Sequence, residues 1–70
     1  MKTRIRELLR AHPFQPFIIR TADGKEYKIE NPEFVLAGSD TPNIYIEEPN
    51  GSFHTVSALL VTAVSVLAGA

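Results

Sequence analysis

Pro13-Phe14-Gln15-Pro16-Phe17-Ile18-Ile19-Arg20-Thr21-Ala22-Asp23-Gly24-Lys25-Glu26-Tyr27-Lys28-Ile29 is the stretch whose reading decides the fold. Its two Pro-Phe pairs end any helix before them. Proline removes an amide donor and drives the preceding residue out of helical dihedrals. From Pro16 onward apolar and polar side chains alternate, and Asp23-Gly24 marks a turn between two strands. The register of that turn follows from matching faces. A two-residue Asp-Gly loop puts Phe17 and Ile19 on the face of Glu26, Lys28 and Glu30. A three-residue loop, Ala22-Asp23-Gly24 with Gly24 left-handed in a bulge, puts Phe17, Ile19, Tyr27 and Ile29 together and leaves Arg20, Glu26 and Lys28 opposite. A slip of one residue inverts every side chain, so only the second register gives one apolar face.

Upstream, the spacing predicts a helix over residues 3–12. Ile5, Leu8, Leu9 and His12 recur on one helical face, with Arg4, Arg6, Glu7 and Arg10 outside it. Thr3 is the expected N-cap, although Arg6 denies it a reciprocal capping box. A helix this short is marginal alone in water, so its apolar face must pack, most simply against the open end of a barrel. His12 reads as a structural residue at the end of that face. Phe14 is expected to lock the helix to the barrel.

Downstream, Asn31-Pro32 breaks the second strand, and Phe34-Val35-Leu36-Ala37 reads as a short third one. Gly38 to Pro42 is a turn cluster. Asn43 to Glu47 follows as a strand with Ile44 and Ile46 inward and Tyr45 outward. Asn50-Gly51 makes a hairpin, and Phe53 to Val56 pairs back. Phe17, Tyr27 and Phe34 read as core. His54, out of phase with Phe53, reads as a surface cross-strand residue. Ser57 to Leu60 suits one helical turn, the β-branched run Val61 to Val66 suits a last strand, and Leu67 to Ala70 a frayed tail. The expectation is one domain over residues 1–70, mainly β. It is a small barrel of five to six short antiparallel strands over about 16–66 behind one N-terminal α-helix.

Seventy residues bury a small core, and such scaffolds usually need a staple. With no Cys, neither a disulfide nor a thiolate metal site is available, which leaves oligomerisation; it also suits a cytoplasmic location. No apolar stretch follows the charged N-terminus, so no targeting segment is expected. The longest apolar run, Val56 to Ala68, is interrupted by Ser57, Thr62 and Ser65 and is too short for a bilayer. Net charge is −1 but uneven: residues 1–10 carry Lys2, Arg4, Arg6 and Arg10 against Glu7, and the remainder carries three basic and seven acidic side chains.

Glu7-Leu8-Leu9-Arg10, Pro13 to Phe17, Asp23-Gly24 and Val61-Thr62-Ala63-Val64 together resemble a group of short uncharacterised bacterial proteins. These share an Arg- and Leu-rich helix, Pro-Phe-x-Pro-Phe and an Asp-Gly hairpin. The resemblance covers roughly residues 3–66 and brings no activity with it. The order helix, bent five-strand barrel, helical turn, last strand also looks SH3-like or Sm-like at the level of architecture. The Sm-like RNA-binding signature before the final strand has no counterpart here. The nearest stretch is Phe53-His54-Thr55, so no RNA-binding residue carries over.

Chemistry-bearing constellations are absent from the sequence. Neither His has an Asp, Ser or Cys companion pattern, and neighbouring Glu47 and Glu48 point to opposite faces of a strand. No nucleophile motif, phosphate-cradling loop or metal-spaced cluster occurs. The expectation is a non-enzymatic protein with no catalytic residue, cofactor or metal. It is read as a self-associating binding or assembly module, a homo-oligomer off the membrane, with a further protein partner as an extension. Arg4, Arg6 and Arg10 are the candidate nucleic-acid contacts, and their ordinary reading is a solvated helix face with Glu7 pairing Arg4 or Arg10. Exposed Tyr45 is the candidate partner contact. The alternatives are an RNA- or DNA-binding Sm-like module led by the basic helix and an accessory subunit of a larger complex.

Overall fold

The computed structural model describes residues 1–67. Helix α1 spans Lys2–Arg10, and six strands follow: β1 Phe17–Thr21, β2 Glu26–Ile29, β3 Val35–Leu36, β4 Asn43–Glu47, β5 Phe53–Ser57 and β6 Val61–Val66. Two 3-10 turns, Pro32–Phe34 and Ala58–Leu60, stand before β3 and β6.

The β1–β2 hairpin adopts the three-residue loop. Phe17 pairs with Ile29 and Ile19 with Tyr27, all four buried. Thr21 N–H donates to Lys25 O at 3.0 Å and Gly24 N–H to Thr21 O at 2.9 Å, with Gly24 at φ +86°. A second glycine turn, Gly51 at φ +89°, joins β4 to β5. Ile44, Ile46 and Val56 point inward there. At Asn31 the side chain accepts Glu33 N–H at 2.9 Å and starts the 3-10 turn that Pro32 permits. Ser57 does the same for Ala58–Leu60, accepting Leu59 N–H at 3.3 Å.

The strands do not close into a single barrel. They form two three-stranded antiparallel sheets, in the orders β2-β1-β6 and β3-β4-β5, whose inward residues meet in one core with Ile5 and Leu8 of α1. The 3-10 turns are the physical reason. Each interrupts the chain where it passes from one sheet to the other, so no ladder is continuous across the passage. The Ala58–Leu60 turn extends one ladder at each of its ends by a single bond, Ala58 N–H to Pro42 O beside β4–β5 and Ala22 N–H to Leu60 O beside β1–β6, both 2.8 Å.

Several expectations are corrected at the ends of elements. The helix begins at Lys2, so Thr3 lies inside its first turn; Met1 is the N-cap and no side chain caps it. It ends at Arg10, with Ala11 extended at φ −65°, ψ 142° and its N–H reaching back to Leu8 O at 3.4 Å. Pro13 excludes His12 from the helix, which leaves His12 exposed rather than on the apolar face. Phe34 belongs to the 3-10 turn and is only half-buried. Phe14 is half-buried too, its ring 6.0 Å from that of Phe17 at 59°. Leu67 is tied down, its N–H donating to Pro16 O at 3.0 Å; the rest of the expected tail lies outside the described residues.

Candidate interaction surface

Directly paired residues on antiparallel strands share a face. In the second sheet Leu36 pairs with Tyr45, Tyr45 with Thr55, and Glu47 with Phe53. The outer face therefore carries Leu36, Tyr45 and Phe53 as one row crossing all three strands. Leu36 is 70% exposed, Phe53 73% and Tyr45 38%. Their inward neighbours Val35, Ile44, Ile46 and Val56 are all buried, so the pleat forces the apolar row outward. A shallow groove of about 260 Å³ runs along it, bordered by Glu33 and Glu47.

Tyr45 thus lies where alternation predicts, and two further residues join it that the sequence reading does not single out. Phe53 has a detectable signal. Counting by two from buried Val56, not from Phe53, sets His54 inward and Phe53 outward. That count also corrects His54. Its ring sits 5.2 Å from that of Tyr27, and its Nε2 lies 3.1 Å from Glu48 Oε2, half-buried between the sheets.

The helix presents Arg4, Arg6 and Arg10 away from Ile5 and Leu8. Arg4 pairs with Glu7 at 3.8 Å, and Lys2 Nζ donates to Thr41 O. Among the described residues Arg6 and Arg10 make no ion pair, and no ion pair, hydrogen bond or cation–π contact joins the three arginines to Tyr45.

A second cleft of about 420 Å³ lies beside the β1–β2 loop, lined by Thr21, Asp23, Tyr27, Thr55 and Leu60. Asp23 is the ionisable group most affected by its setting. The Thr21 hydroxyl donates to its carboxylate, as does Lys25 N–H at 3.2 Å, and these bonds hold its carboxyl below the usual aspartate value. Both donors belong to the same turn, so the carboxylate serves the hairpin. Among the described residues no group of three or more His, Asp or Glu is placed to hold a metal, and no helix is long and apolar enough to cross a membrane.

No family model, curated protein or solved structure matches the chain.

Proposed function

We propose that this protein is a small non-enzymatic assembly module that associates with itself through the outer face of the β3–β4–β5 sheet. The row of Leu36, Tyr45 and Phe53 carries the reading. Scattered exposed apolar side chains are ordinary, but an apolar row along a groove on one sheet face is characteristic of an interaction site. The absence of Cys supports association as the means of extending a small core, and it fits a reducing cytoplasm. The strand order, with a 3-10 turn before the last strand, supports an SH3-like or Sm-like fold type. The Pro-Phe-x-Pro-Phe joint supports kinship with the short bacterial group.

Light scattering at micromolar concentration tests the reading. The expected mass exceeds that of the monomer, and Phe53→Ser returns it to the monomer with an unchanged far-ultraviolet spectrum. A wild-type protein that stays monomeric overturns self-association and turns the same apolar face toward the accessory-subunit reading, which capture from the native host then tests.

The unpaired Arg6 and Arg10 favour a second reading, nucleic-acid binding through α1. Oligonucleotide binding at low salt that weakens steeply as salt rises, and is lost on Arg6→Ala with Arg10→Ala, supports it. No binding at low salt removes it.

A further inference from the structure

The charges left without partners are segregated by sign. On the body, Arg20 pairs with Glu26 and Lys28 with Glu30 at 3.3 Å, Glu48 Oε2 lies 3.1 Å from the His54 ring, and Lys25 Nζ stands 5.9 Å over the Tyr27 ring. Among the described residues Glu33 and Glu47 have no ion-pair partner, and both border the outer-face groove. Arg6 and Arg10 likewise have none, and both stand on α1.

This pattern constrains how two copies can meet. The paired outer-face positions of β3, β4 and β5 include Glu47 but no Lys or Arg. Stacking the face on its own two-fold mate would take Glu47 out of water with no Lys or Arg on that face to pair it. What the groove does fit is arginine. Arginine carries the matching chemistry: a guanidinium stacks on aromatic rings of the Tyr45 and Phe53 kind, forks onto a carboxylate such as Glu47, and lays its stem along apolar surface such as Leu36.

We propose that the occupant is the N-terminal helix of a second copy, with Arg6 and Arg10 of one protomer seated on the Tyr45–Phe53–Glu47 face of the next. This rests on the self-association reading. The spacing agrees: residues four apart on a helix share one side and rise about 6 Å. Tyr45 and Phe53 are diagonal neighbours across β4 and β5, a relation that spans about 7–8 Å. The helix is not available to its own groove, because Ile5 and Leu8 hold its other face in its own core. Helix and groove are different surfaces, so the contact is heterologous and propagates from copy to copy into a ring or an open chain.

Two half-interface variants test it by sedimentation velocity. Arg6→Glu with Arg10→Glu removes the helix half; Glu47→Gln with Phe53→Ser removes the sheet half. None of these four side chains is buried, and far-ultraviolet spectra check that each variant folds; Arg6→Gln with Arg10→Gln replaces the first if it does not. Each variant alone is expected to associate at least about tenfold more weakly than wild type. Mixed one to one they form a heterodimer that grows no further, because one supplies the intact groove and the other the intact helix. A helix variant that associates like wild type overturns the inference and leaves self-association standing. A mixture that stays monomeric overturns it too. Loss of oligonucleotide binding with unchanged self-association assigns the arginines to nucleic acid and removes it. A wild type that is monomeric throughout overturns both the inference and the reading beneath it.

Discussion

Gly24 is the residue on which the hairpin register turns. At φ +86° it occupies a region that side chains with a Cβ rarely adopt, yet a Cβ built there meets nothing within 4 Å. The cost of substitution is therefore conformational and not steric. Gly24→Val is expected to lose about 1–3 kcal/mol in urea unfolding, and Gly24→Asn less, because Asn tolerates left-handed backbone. Equal stability of the Val variant and wild type would mean that the loop does not need that conformation. Its neighbour Asp23 sets a pH dependence. Hydrogen bonds from the Thr21 hydroxyl and Lys25 N–H lower its pKa in the folded state. The stabilisation is thus present above the unfolded carboxylate value of about 4 and is lost as pH falls through the lower folded value. Melting temperatures followed into acid should show this loss, and Asp23→Asn should make the profile shallower; an unchanged profile would remove Asp23 as a contributor. The Gly24 requirement was legible in the sequence because face-matching admits one register. His54 was not, because a lone histidine takes its side from the strand's phase, and exposed Phe53 gives the wrong phase.

At the scale of elements, α1 is held by burial more than by its ends. Ile5 is fully buried and Leu8 nearly so, whereas no side chain caps the N-terminus. Ile5→Ala should therefore cost about 2–5 kcal/mol. Thr3→Ala should change stability by less than about 0.5 kcal/mol, because Thr3 is an exposed residue within the first turn. Urea denaturation of the two variants checks the contrast, and a large loss from Thr3→Ala would restore it as a cap. The helix, the strands and the inward set Phe17, Ile19, Tyr27, Ile29, Ile44 and Ile46 are readable from periodicity, since burial of one face is what writes the pattern. The division into two sheets is not. The break at Asn31-Pro32 and the turn at Ser57 to Leu60 are legible, but periodicity carries no trace of the fact that each passes the chain from one sheet to the other. Of the candidate surface, Tyr45 was legible from its position between two isoleucines. Leu36 was not, because a two-residue strand is too short to show a phase.

For the whole molecule, size is the governing constraint. The folded chain exposes 4585 Å². An unfolded chain of this mass exposes roughly 11,000 Å², so folding hides only about 60% of it, the range in which small domains are marginal. Part of the exposed remainder is the row of Leu36, Tyr45 and Phe53, and covering it in a neighbour adds burial that the isolated chain lacks. Any process that binds only the folded state raises apparent stability by mass action. The melting temperature is therefore expected to rise with protein concentration, by an amount that follows the association constant. Salt should reduce the rise. The proposed Arg–Glu contact between copies would be screened over a Debye length of about 8 Å at physiological ionic strength, and the apolar row far less. Phe53→Ser should abolish the concentration dependence with little change in the melting temperature at high dilution, because Phe53 is 73% exposed and stands outside the core cluster. Scanning calorimetry over a hundredfold range of concentration reads all three effects. A melting temperature independent of concentration in wild type would show that this small core stands alone.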